Sequence, residues 1–217
     1  MPRWEPDGVE RLQAAAFELF TEQGFERTTV AEIAERAGLT KRTFFNHFAD
    51  KREVLFGPGP ERQREIVTRE IAACPDALPP LDAVVRGLQA AADTFFEPLR
   101  EAVSRRREIV DANPELLERE LGKRAGLTDA IAAALRERGL DADTALLTAH
   151  AGVLVQQVAM QRWTQKETAS DTRAEMQSET EPETQSGTPP ETPSAHDRTL
   201  RELLSDALAS LRAIVGS

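Results

Sequence analysis

Between Thr28 and Lys51 the chain reads TTVAEIAERAGLTKRTFFNHFADK, and the side chains there able to do chemistry are Thr40, Lys41, Arg42, Thr43, Asn46 and His47. They are hydrogen-bonding groups, with no nucleophile and base set at matched spacing. Lysine or arginine pairs with O6 and N7 of guanine, asparagine pairs with adenine, and hydroxyls and ammonium groups suit phosphate oxygens. The local charge agrees. From Arg36 to Arg52 five basic residues (Arg36, Lys41, Arg42, Lys51, Arg52) face only Asp50, an excess of +4 before His47 is counted. The whole chain nevertheless carries a formal charge of −10. Much of that acidity is elsewhere: between Thr164 and Asp197 eight acids stand against Lys166 and Arg173, a local −6. Net charge is a sum, and binding depends on where the charges sit.

Other chemistries lack their parts. There is no HExxH, no glycine-rich phosphate loop and no paired-carboxylate arrangement, and His47, His150 and His196 lie in three separate contexts. Cys74 is the single cysteine, which excludes an intrachain disulfide and a cysteine-cluster metal site. No catalytic residue, metal or cofactor is expected, and the chain reads as a non-enzyme. The longest apolar stretch, ALLTAHAGVLVQQVAM, is interrupted by His150, Gln156 and Gln157, short of the roughly 18 uninterrupted apolar residues of a spanning helix. The start, MPRWEPDGVE, has no apolar signal region. A cytoplasmic protein with no membrane partner is the expectation.

The elements that position the polar set follow from periodicity, which is helical along nearly the whole chain, so the class is all-α. Val9, Leu12, Ala16, Leu19 and Phe20 recur at helical spacing up to a stop at Gly24. Thr29 and Glu32 have capping-box spacing for a second helix from about 30 to 37, closed by Gly38. Thr40 opens a third, to about Phe48, and Asp50 caps a fourth that GPGP at 57–60 interrupts or bounds. Ile33, Ala34 and Ala37 make the inner face of the second helix, against which Leu39, Phe44 and Phe48 pack the third. The polar positions of the third helix must then face outward. This spacing is that of a helix-turn-helix, in which one helix lies across the DNA backbone and the next enters the major groove.

Later amphipathic segments are expected at 61–73, 80–97, 99–112, 114–138, 142–164 and 198–215, separated by proline and glycine. Residues 165–196, rich in Thr, Glu, Ser, Gln and Pro, have too little apolar surface to offset the entropy of ordering and are expected to form a disordered acidic loop. The helix from 142 to 164 is apolar nearly all round. Ala145, Ala149, Gly152, Gln156 and Ala159 form a stripe of mainly small residues, with Leu147, Leu154 and Val158 facing the other way. The last helix carries a broad stripe from Leu200 to Val215. Both helices can pack within one subunit or join a second copy as a four-helix interface.

The stretch AFELFTEQGFERTTVAEIAERAGLTKRTFFNHFADKREVL, Ala16 to Leu55, resembles the tetracycline-repressor (TetR) family of transcriptional regulators. The resemblance implies an N-terminal helix-turn-helix domain, residues 1–55, and a helical effector-binding and dimerisation domain, residues 56–217. It puts Lys41 and Arg42 at base-reading positions with Thr40 beside them, and Thr29, Thr43, His47 and Lys51 at phosphate-holding positions. Phe45 departs from the tyrosine often found there: its ring can touch a thymine methyl or a sugar but cannot bond a phosphate. Asn46 suits adenine. Arg3 is either a minor-groove arm or a tail.

An effector pocket is expected within 61–138 and the inward side of the 142–164 helix, with Phe95, Arg105, Arg106, Asn113, His150 and Gln157 as candidate contacts. The bland alternatives are a core role for Phe95, a solvated face for SRRRE and an interfacial role for His150. The leading expectation is a ligand-responsive repressor. It would bind a palindromic DNA operator as a homodimer and be released by a small-molecule effector. The alternative is a helical interaction or dimerisation protein that has lost specific DNA binding.

Overall fold

The computed structural model describes residues 8–165 and 198–216. Nearly all of the expected acidic loop, and Arg3, lie outside them. Among the described residues the chain is helical with no strand. Helix α1 spans Gly8–Gln23, α2 Val30–Arg36, α3 Lys41–His47 and α4 Glu53–Phe56. Then come α5 Gly59–Ala73, α6 Pro80–Ala91, α7 Arg100–Asp111, α8 Pro114–Glu137, α9 Ala142–Thr164 and α10 Leu200–Val215. The architecture is an N-terminal helix-turn-helix unit followed by a larger helical domain.

Local signals set the first four helices. Thr29 and Glu32 make the full capping box: the Thr29 hydroxyl accepts from the Glu32 amide at 3.2 Å, and the Glu32 carboxylate accepts from the Thr29 amide at 2.8 Å. Gly38 turns the chain between α2 and α3 at φ +65°, where a side chain would be strained, and a Cβ would press on the Arg11 guanidinium. That guanidinium donates to the Ala37 carbonyl, tying the end of α2 to α1. The Asp50 carboxylate accepts from the amides of Arg52 and Glu53, at 2.8 and 3.0 Å, and starts α4.

Two departures from the expected segments have a common cause in proline. The fifth helix begins two residues earlier than expected, because Pro60 in its first turn surrenders no needed N–H. The helix expected over 80–97 ends at Ala91. A wider π turn over Ala92–Phe96 and a tighter 3-10 turn over Glu97–Leu99 follow before α7 starts. Pro98 lacks an N–H and its ring conflicts with the carbonyl four residues back, so a regular helix cannot run through it.

The core forms two clusters. One is built from α1–α4 around Leu12, Phe20, Ile33, Phe44, Phe48 and Leu55, and it also takes Val110 from α7 and Leu116 from α8. The other unites α5, α6, α8, α9 and α10 around Val67, Leu88, Ile131, Leu135, Trp163 and Leu204. The small stripe of α9 is spent inside the chain: Ala145, Ala149, Gly152 and Ala159 are buried, and a Cβ at Gly152 would overlap Val84 of α6. Gln156, on the same stripe, is half-buried and lies in the wall of a cavity. The apolar face of α10 is likewise buried within the chain from Leu200 to Leu208.

Candidate nucleic-acid interface and ligand cavity

Helix α3 is clamped on one side only. Phe44 is wholly buried, its ring centroid 5.4 Å from that of Phe48, and Leu39 packs half-buried beside them. With that face fixed, a seven-residue helix leaves Thr40, Lys41, Arg42, Phe45 and Asn46 in solvent. Thr40 caps α3 by accepting from the Thr43 amide at 3.0 Å, and the two hydroxyls lie 2.9 Å apart, so Thr43 is drawn to the helix start. Phe45 is 50% exposed, a large apolar ring among polar neighbours, touching Phe44 edge-on at 5.5 Å.

The other expected contacts sit at the margins of this face. Thr29 is exposed, but its hydroxyl also donates to Glu32 at 2.7 Å, so the group is committed to the cap of α2. His47 is half-buried against Gly8 at the start of α1. Lys51 folds back: its ammonium donates to the Phe25 carbonyl at 2.7 Å and lies 4.0 Å from the centre of the Phe25 ring, closing the loop between α1 and α2. On the far side Arg36 bridges to Glu22 at 2.9 Å and Glu18 at 3.2 Å, bracing α2 on α1. The Arg36 hydrogen bond holds the Glu22 carboxyl below its ordinary range.

A cavity of about 500 Å³ lies where α1, α4, α5, α7, α8 and α9 meet. That is within the range of small-molecule sites. Phe17, Phe56, Phe95, Phe96, Leu99, Val103, Leu127, Val153 and Met160 supply its apolar wall. Of the expected contacts, Phe95, Arg106 and Gln157 line it. Arg105, Asn113 and His150 do not. Arg105 is a solvated side chain paired with Glu101 one turn back. The Asn113 amide donates to the Ile109 carbonyl at 2.6 Å at the α7–α8 corner. His150 is exposed on the outward face of α9. Successive residues of a helix point about 100° apart, and the roll of α7 turns Arg106 and Arg107, not Arg105, toward the cavity.

Residues 12–56 match the sequence model of bacterial regulatory proteins of the tetR family. Over this stretch, about a fifth of the chain, it is similar to TetR-family regulators. The HTH-type transcriptional regulator TcmR of Streptomyces glaucescens is 51% identical to it over 49 residues, 23% of this chain and 22% of TcmR. The chain thus spans in alignment about a fifth of the length of that curated relative. Likeness of fold runs further. SmeT, the repressor of the Stenotrophomonas maltophilia multidrug efflux pump SmeDEF, superposes with a TM-score of 0.50 at 20% identity, covering 95% of this chain and 89% of that one. The fatty acid degradation regulator FadR of Bacillus halodurans gives 0.51 at 15% identity, covering 96% of each. At such identities the likeness concerns the fold: a TetR-type head on a helical body.

Several residues that shape the sites carried no motif. Glu53 of α4 pairs with Arg119 and, at 3.0 Å, with Lys123, tying the end of the helix-turn-helix unit to α8. The Gln13 amide of α1 lines the cavity and donates to the Val54 carbonyl at 3.1 Å. Glu120 of α8 meets Arg106 at 2.7 Å and Arg124 at 3.8 Å in the cavity wall. The only signal for these in the sequence was the i,i+4 spacing of Glu120 and Arg124, which any solvated helix can show.

Burial pushes the Glu120 carboxyl upward, but Arg106, through charge and hydrogen bond, and then Arg124 and Arg107 outweigh it and leave the group below its ordinary range. A depressed folded value means the pair stabilises above the unfolded carboxyl's range and is lost as pH falls through the folded one. Glu120→Gln should therefore lower the urea midpoint at neutral pH, with the gap to wild type closing on acidification. A gap that stayed constant with pH would show that the carboxylate charge is not what matters.

Proposed function

We propose that this TetR-family regulator binds a palindromic operator in the cytoplasm as a homodimer, represses transcription, and is released when a small molecule enters the cavity. The observation that carries the reading is the one-sided clamp on α3. It leaves Lys41, Arg42 and Asn46 projecting together from a helix narrow enough for the major groove. Lys41 and Arg42 read bases with Thr40 beside them; Thr29, Thr43, His47 and Lys51 hold phosphates; Phe45 meets a thymine methyl or sugar. Two reading heads related by a twofold axis read two half-sites.

The outward face of α9 supports the homodimer. Leu147 is 70% and Leu154 49% exposed, and Val158 continues the same line half-buried, at coiled-coil-like spacing. Ile214 and Val215 of α10 are also exposed. A second copy covering this apolar line would make the four-helix interface.

Release follows from differential affinity. The cavity is walled by Gln13, Ala14 and Phe17 of α1 as well as by the helical domain, so an occupant touches the reading head directly. It releases DNA if it binds the arrangement that does not fit the operator more tightly, and DNA then weakens the effector by the same factor.

Selecting duplex fragments from a random pool with the purified protein tests the reading: a palindromic consensus is expected. A selected pool with no common sequence would overturn it in favour of an interaction protein without specific DNA binding. Lys51→Ala is expected to weaken operator and random duplex alike and to make the slope of log K against log salt shallower by about one unit. Because Lys51 also closes the α1–α2 loop, a modest loss of stability should accompany this, about 1 kcal/mol for the lost hydrogen bond. An unchanged salt slope would leave the lysine a purely structural staple.

A further inference from the structure

We infer that the cavity takes a mostly apolar molecule bearing an anionic group, a carboxylate or its equivalent, whose charge is met at the α7–α8 wall by Arg106 and Arg124. This rests on the reading of the cavity as the effector site and names the chemistry of the occupant.

The charge count at that wall is uneven. Arg106, Arg107 and Arg124 all line the cavity and all act on the Glu120 carboxylate. Arg107 has a second acid, Asp111, at 3.2 Å. Among the described residues these three guanidiniums thus face two carboxylates, leaving positive charge in excess. Lys123 does not reduce it, since its partner Glu53, at 3.0 Å, is shared with Arg119, and Glu10, on the α1 wall, is open to solvent. Glu120 stays ionised among its arginines, so the excess is not an artefact of a neutral acid. Arg106 and Glu120 are each about three-quarters or more withdrawn from solvent. There water compensates charge poorly, and a ligand anion does so well.

A further contact points the same way. The Arg106 guanidinium lies 5.4 Å from the centre of the Phe56 ring, holding the cation at the border of the apolar wall. A molecule with a charged end and an apolar body spans that border. A cation would add to the excess charge. A neutral molecule would leave that charge unmet.

The test is calorimetric titration of the full-length protein, without DNA, with two matched pairs that differ only in charge: decanoate against decanamide, and naphthylacetate against naphthylacetamide. Each acid is expected to bind about tenfold or more tightly than its amide. Arg124→Gln should bring that ratio close to one while leaving the amides little changed, whereas Glu120→Gln should widen it. Equal affinity within both pairs overturns the proposal. So does the lack of saturable binding by either acid at millimolar concentration, or an Arg124→Gln variant that loses amide and acid affinity equally. Operator release is scored separately by fluorescence anisotropy on a selected duplex. Acid binding that leaves DNA bound supports the ligand class and refutes release by the effector, so the two failures are distinguishable.

Discussion

Replacing Lys41 and Arg42 together with alanine is expected to remove most of the preference for operator over random duplex while leaving the fold intact. Each bidentate contact to a base edge is worth about 1–3 kcal/mol of discrimination, so the double variant should lose roughly two to four orders of magnitude in specificity ratio if the two contributions add. Both side chains are exposed, neither supplies the Thr40 cap, and the apolar underside of α3 is untouched. The unfolding free energy from urea titration should therefore stay within about 0.5 kcal/mol of the parent, as for most surface changes. Anisotropy titrations on operator and scrambled duplex at one salt concentration measure the ratio directly. An equal loss on both duplexes would assign the pair to the phosphate backbone instead and leave base reading to other residues.

The second large effect is a contrast between neighbours. Phe44→Ala removes a wholly buried ring that touches Phe48 and sits in the cluster with Leu12, Ile33 and Phe20. Such truncations cost about 3–5 kcal/mol, the transfer free energy plus the cavity left behind. α3 has only seven residues and cannot persist alone, so the reading head should lose both stability and DNA binding. Phe45→Ala removes an equally large ring that is half exposed and contributes mainly an edge contact to Phe44. It should cost about 1 kcal/mol or less in stability while weakening operator binding. Thermal unfolding followed by circular dichroism, beside anisotropy, separates the two quantities. Similar stability losses in both variants would mean that α3 is not seated on its Phe44 face.

The helix-turn-helix unit was legible because its determinants are local. A capping threonine three residues before a glutamate, a glycine where the chain must turn at positive φ, and apolar residues at helical spacing each act within one or two turns. The structure shows the Thr29–Glu32 box and the Gly38 turn where the sequence called for them. The outward face of α3 was legible by elimination, since its apolar positions could serve only one side.

The cavity was half legible, and the reason is geometric. Phe95, Arg106 and Gln157 come to its wall while Arg105, Asn113 and His150 do not. In SRRRE every residue is a plausible cation for an anionic ligand or for solvent, and the pattern does not say which way α7 is rolled. Arg107 and Arg124 were missed because nothing in their own segments distinguishes them from solvated arginines. Their role arises only where α7 meets α8 across Glu120. Similarly, the small stripe of α9 announced a close approach of some helix, and packing made that helix α6, through Val84 against Gly152. That choice turned Leu147 and Leu154 outward.

By itself the sequence determined the helical class, the reading head and the side chains it presents, because these depend on interactions spanning a few residues. Only the tertiary structure decided which arginines share a wall with Glu120, how α1 becomes part of the cavity, and that Lys51 folds back onto Phe25. Those juxtapositions join residues tens of positions apart. They are set by how whole helices roll and dock, which no local pattern encodes.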